Sequence, residues 1–101
     1  MSTAKGVALV TGAAQGIGHA IALRLTADGY DIALNDLPAQ EAALRVTAEE
    51  VASRGRRVHC VLADVSSEIQ VQTMVSDVVR ELGGVDVVRT RHALTWRETT
   101  N

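Results

Sequence analysis

Phenylalanine is missing from this sequence, and Tyr30 and Trp96 are its only Tyr or Trp residues. A core must therefore be built from Val, Ile, Leu and Ala, which suits a parallel sheet buried under helices. There is one cysteine, Cys60, so no internal disulfide can form; this fits a reducing cytosol and a cytoplasmic location. Apolar runs last only a few residues, far short of the roughly 20 that a membrane helix needs. The run Val7–Val10 is likewise too short for the apolar region of a signal peptide. Charge of one sign is lacking too: 10 Lys and Arg face 12 Asp and Glu, for a net −2. With no polybasic run, neither a nucleic acid nor an anionic membrane is expected as a partner. The 101 residues allow one small domain.

What is present alternates. Gly6–Val10 reads as a buried strand, and Ile17, Ile21 and Leu25 set a helical stripe over Ile17–Asp28, stopped at Gly29. Tyr30–Asn35 returns to strand character, followed by the break at Leu37–Pro38 and a second helix over Ala39–Arg54 with Leu44, Ala48 and Val51 on its apolar stripe. Arg57–Leu62 is a third strand. Ser67 and Gln70 fit a capping box for a third helix carrying Val71, Met74, Val75, Val78 and Leu82, and Gly83–Gly84 ends it before a fourth strand at Val85–Val88. This rhythm predicts an α/β fold, a parallel sheet of order 3-2-1-4 with right-handed crossovers and helices on both faces. Residues 1–88 form the domain, and residues 89–101 (RTRHALTWRETTN) read as an irregular tail.

Between the first strand and first helix lies Thr11-Gly12-Ala13-Ala14-Gln15-Gly16-Ile17-Gly18. Gly12 permits a sharp turn, Gly16 lets backbone approach a pyrophosphate, and Gly18 lets the helix pack close to the strand. The helix start then offers unpaired N–H groups and a positive dipole end to an anion. Asp36 follows about twenty residues beyond, at the end of the second strand, where a carboxylate can accept bonds from both adenine-ribose hydroxyls. It would repel a 2′-phosphate, and neither Gln15 nor Leu37 supplies a cation for one, so NAD is expected over NADP. Asp36 could instead cap the second helix. The chain thus reads as a partial Rossmann unit.

With the spacing Thr-Gly-x-x-x-Gly-x-Gly, followed by Asp64–Val65 after the third strand, the chain resembles the short-chain dehydrogenase/reductase family from about Lys5 to Val88. Its texture is that of NAD-dependent acetoin/diacetyl-type reductases. The resemblance implies that Asp64 and Val65 contact adenine; capping of the third helix is the alternative for Asp64. It implies a cofactor-binding set of Gly12, Ala14, Gln15, Gly16, Ile17, Gly18, Asp36, Leu37, Asp64 and Val65. It also implies hydride transfer between a nicotinamide cofactor and an alcohol or carbonyl. The family's Asn-Asn-Ala-Gly stretch does not follow Val88, and its catalytic Asn, Ser and Tyr-x-x-x-Lys belong to later parts of a longer chain. Here Tyr30 and Lys5 have neither the spacing nor the placement of that pair, so no catalytic residue is assigned and the chain alone is expected to be inactive.

Other candidates reduce to structure. His59 and Cys60 are neighbours on a strand and face opposite ways, so no metal site is expected, and Cys60 reads as a core residue. Ser66 and Ser67 read as helix caps, Glu49–Glu50 as a solvated pair, and Arg54, Arg56 and Arg57 as solvated cations near a helix end. Trp96 in the tail is a lone aromatic. Two further readings stay open: an interaction module that forms a homo-oligomer through the open edge of the fourth strand or its helix faces, and a poorly folded product of a frame or splicing change near Val88.

Overall fold

The computed structural model describes residues 4–89, so Trp96 and all of the expected tail after Arg89 lie outside the described residues. Within them the chain runs β1 (Val7–Val10), α1 (Gly16–Ala27), β2 (Asp31–Asp36), a 3-10 turn (Pro38–Gln40), α2 (Glu41–Ser53), β3 (Val58–Leu62), α3 (Glu68–Leu82) and β4 (Val87–Arg89). All strand pairs are parallel, as the alternation predicts, and the order is β3-β2-β1-β4, as expected of a Rossmann unit. β4 runs one residue past its expected end: Arg89 is in register with Val10, and its carbonyl accepts a bond from the Thr11 N–H at 3.0 Å.

The twofold period of a strand sorts its side chains between two cores. Ala8 and Val10 of β1 and Ile32 and Leu34 of β2 pack with Ala22 and Leu25 of α1 and Leu44 and Val51 of α2. Val7, Leu9 and Ala33 point the other way, onto Met74, Val78 and Leu82 of α3. Helices therefore cover both faces, and the two inner strands are buried along almost their whole length. Each fully buried Leu, Ile or Val contributes roughly 1.5–3 kcal/mol by leaving water. Tyr30 packs at the margin of the first core, and close contact within the two cores is achieved by small residues: Ala8, Ala22 and Ala33 are each fully enclosed.

Polar bonds between elements set the ends of this sandwich. The Asp86 carboxylate accepts the Val7 N–H at 2.8 Å, tying the start of β1 to the segment before β4. Asp31 accepts both the Arg57 backbone N–H (2.9 Å) and its guanidinium (3.1 Å), and the same guanidinium donates to the last-turn carbonyl of Leu82 at 3.0 Å. The Arg56 guanidinium donates to the Gly29 carbonyl. Arg56 and Arg57 are thus structural rather than simply solvated. Glu50 corrects the reading of its pair as well, because it meets His19 of α1 at 2.7 Å. Ile17 is 69% exposed and does not join the stripe of Ile21 and Leu25; the helix has turned it away from the sheet in its first turn. Cys60 is half-buried against the first core while His59 reaches across to Asp77 of α3, so the two do face opposite sides.

Candidate dinucleotide-binding site

The site forms where β1, β2 and β3 end. Thr11–Gln15 makes the turn from β1 into α1, with Gly12 and Gly16 in left-handed conformations at φ +63° and +64°. At Gly18 a Cβ would stand 2.1 Å from the Gly12 carbonyl oxygen and 2.7 Å from its carbon. Its close approach is therefore to the turn itself rather than to the strand. At Gly16 the space where a Cβ would project is open. The first turn of α1 contains no acidic residue and receives no side-chain cap, so its N–H groups and dipole remain available to an anion.

Three bonds hang the turn from β2 and α2. The Ala13 N–H donates to the Asn35 carbonyl at 2.9 Å, the Thr47 hydroxyl donates to the Ala13 carbonyl at 3.2 Å, and the Ala14 N–H donates to Asp36 Oδ2 at 3.0 Å. Asp36 Oδ1 accepts the Leu37 N–H at 2.8 Å. No side chain caps the 3-10 turn or α2, so the capping alternative for Asp36 does not apply. Asn35 is buried, and its amide donates to the carbonyls of Val61 and Ala63, both at 3.1 Å, closing the end of β3 onto β2. Sequence reasoning passed over Asn35 and Thr47. The signal for each was a polar residue on a face otherwise apolar.

At the end of β3, Asp64 does not cap α3 either. Its Oδ1 accepts the Ser66 N–H (2.9 Å) and hydroxyl (2.7 Å), and these bonds hold its carboxyl below the usual carboxylate range. The cap is Ser67, whose hydroxyl accepts the Gln70 N–H at 3.3 Å. The return arm of the expected capping box goes elsewhere: Gln70 Oε1 accepts the Asp64 N–H at 2.8 Å. Ser66, expected as a cap, is instead Asp64's partner.

Between these loops lies an open cleft of about 370 Å³. Six of the ten expected residues line it: Gly12, Gln15, Asp36, Leu37, Asp64 and Val65. Ala14, Gly16, Ile17 and Gly18 stand outside that lining, as the turn and helix start that frame it. Leu37 and Val65 leave 47% and 38% of their surface exposed at the rim, large apolar groups that no core explains. Among the described residues, two carboxylates and no Lys or Arg border the cleft. The Thr11 hydroxyl also lies in its wall, buried and without a partner among the described residues. A dinucleotide fits such a donor set: turn amides and a helix start for phosphates, a carboxylate for a diol, and apolar walls for a flat base.

The model of the short chain dehydrogenase family matches residues 6–100. A short-chain dehydrogenase/reductase of Hericium erinaceus, eriH, is 56% identical over 88 residues, which cover 85% of this chain and 35% of that protein. Among solved structures, a blue fluorescent protein from a metagenomic library in complex with NADPH superposes with a TM-score of 0.80 at 36% identity, over 87% of this chain and 36% of that one. A short-chain dehydrogenase/reductase of Burkholderia phymatum in complex with NAD gives 0.77 at 31% identity, over 87% and 31%. The chain thus spans about a third of the length of the relatives it matches. With the family model matching almost the whole chain and the parallel sheet shared with these solved structures, the chain belongs to the short-chain dehydrogenase family.

Proposed function

We propose that this chain binds NAD through its adenosine and pyrophosphate ends, in preference to NADP. The observation that carries the reading is the cleft itself: Asp36 and Asp64 border it, no basic side chain among the described residues does, and it opens beside the uncapped start of α1. A 2′-phosphate there would face carboxylate with no cation to offset it. Leu37 and Val65 form apolar walls for adenine, Asp36 accepts from the ribose hydroxyls, and the N–H groups around Gly16 take the pyrophosphate. When bound, the nicotinamide supplies or accepts a hydride, and the whole protein's reaction would be oxidoreduction of an alcohol or carbonyl. Tyr30 and Lys5 take no part in that: the Lys5 ammonium sits 5.8 Å above the Tyr30 ring where β1 and β2 begin, whereas the cleft residues follow the ends of those strands. The chain alone is therefore proposed to grip cofactor without turning over substrate. A cytoplasmic setting belongs to the same proposal, since Cys60 is a free thiol.

Titration with NADH and NADPH, followed by calorimetry or nicotinamide fluorescence, tests the reading. Tighter binding of NADH is expected, and Asp36→Ala should erase the difference; equal affinity of the parent for both cofactors would overturn the ribose assignment. A second reading, an interaction module, draws on β4 standing at the end of the sheet with Val87 and Val88 only half-buried. A monomer by size exclusion with light scattering would dismiss it.

A further inference from the structure

Asp36 is asked to do more than meet a ribose. Each of its carboxylate oxygens already accepts one backbone N–H: Oδ2 from Ala14 in the turn at 3.0 Å, and Oδ1 from Leu37 at 2.8 Å. An ionised carboxylate offers about four lone-pair sites, so roughly two remain for a vicinal diol. The Leu37 bond fixes the plane of the carboxylate, and the Ala14 bond carries that fixed position into the phosphate-binding turn.

Ala14 is only 6% exposed, so its N–H has little access to water if the acceptor is removed. Gly12 and Gly16, in left-handed conformations on either side of it, supply no side chain to hold the turn there. Ala13 is held by the Asn35 carbonyl and the Thr47 hydroxyl, which leaves the Asp36 carboxylate as the tether of Ala14. It is also the only charged one, and charge-assisted bonds are the stronger kind.

We infer that Asp36 is a positioning residue for the phosphate-binding turn, so that the ribose and pyrophosphate subsites form one linked unit. The linkage rests on the dinucleotide reading above, whereas the tether itself does not. A substitution chosen to relax discrimination at the ribose would therefore weaken the grip on the phosphates as well, even for a ligand with no ribose.

The test compares Asp36→Asn with Asp36→Ala in the full chain. Both remove the same charge, but only Asn keeps an acceptor, a single oxygen that can meet the buried Ala14 N–H while the exposed Leu37 N–H turns to water. Inorganic pyrophosphate is the probe, followed by amide shifts in an NMR titration, together with hydrogen exchange at the Ala14 amide. The expected result is pyrophosphate binding about tenfold weaker in the Ala variant than in the Asn variant, with rapid Ala14 exchange only in the former. Equal pyrophosphate affinity and equal Ala14 protection in the two variants would overturn the inference. If NAD binding nevertheless falls in both, the ribose reading stands without the linkage. If the parent prefers neither NAD nor NADP but Ala14 protection still follows the acceptor, the tether stands and the ribose reading fails.

Discussion

Replacing Gly18 by Ala adds one methyl group where α1 meets the backbone of the turn. The new carbon would sit 2.1 Å from the Gly12 carbonyl oxygen, 2.7 Å from its carbon and 3.2 Å from Ala13 Cα. Ordinary contacts lie near 3.5–4.0 Å, so α1 and the turn must separate by more than about 1 Å. All three obstructing atoms are backbone, and no side-chain rotation relieves them. The turn cannot yield freely, because Ala13 and Ala14 are bonded to Asn35, Thr47 and Asp36. The helix cannot yield freely either, because Ala22 and Leu25 are packed into the first core. Overpacking by a methylene costs about 1–3 kcal/mol when side chains can adjust, and the upper end of that range is expected here. A chain of this size has roughly 5–15 kcal/mol of stability, and about 3 kcal/mol corresponds to a Tm drop of at least 12 °C. Thermal unfolding followed by far-ultraviolet circular dichroism measures it, with NADH titration below the transition. The control is Gly16→Ala: nothing lies within 4 Å of the added carbon, but its left-handed φ costs about 1–2 kcal/mol. A Gly18→Ala Tm within about 3 °C of the parent, or a larger loss at Gly16, would refute the reasoning.

Two further outcomes follow from polar bonds outside the cleft. The hydrogen bond from His59 at 2.6 Å is the main cause holding the Asp77 carboxyl below the usual carboxylate range, with Arg80 adding to it. A carboxyl depressed in the folded state contributes stability in full above its unfolded value near 4, and that stability is lost as pH falls through the folded value. Urea midpoints of the parent should therefore drop more steeply below pH 5 than those of Asp77→Asn; parallel profiles would remove the pair from the account of stability. Arg57→Ala strips the buried Asp31 carboxylate of its guanidinium and the Leu82 carbonyl of a donor, while the Arg57 backbone N–H keeps its own bond to Asp31. With most of the Arg57 side chain in solvent, the expected loss is about 1–2 kcal/mol in urea unfolding. No measurable change would show that water substitutes for both bonds.

The spacing of apolar residues was enough to place every strand and helix between Val7 and Val88 to within a few residues; the order of the sheet came from the Rossmann topology that the glycine motif implied. Periodicity survives in the sequence because burial on one face is a local property of an element. The glycines of the turn were legible for a related reason: each marks a backbone shape or approach that a side chain forbids. Polar roles were legible only in part. Asp36 and Asp64 were found by position, yet their hydrogen-bond partners were not, and both capping alternatives stayed open until the strand ends were seen together. Glu50, Arg56 and Arg57 looked solvated because their partners lie far along the chain, at His19, Gly29, Asp31 and Leu82.

By itself, then, the sequence determined the α/β alternation, the phosphate-binding turn and the identity of two carboxylates at strand ends. Only the tertiary structure decided what those carboxylates hold. Asp36 and Ala14 are 22 residues apart, and Asn35 and Ala63 are 28 apart. No pattern within one element encodes such bonds; they arise when parallel strands bring their carboxyl ends to a common edge and leave the turn of the first strand within hydrogen-bond reach of the second.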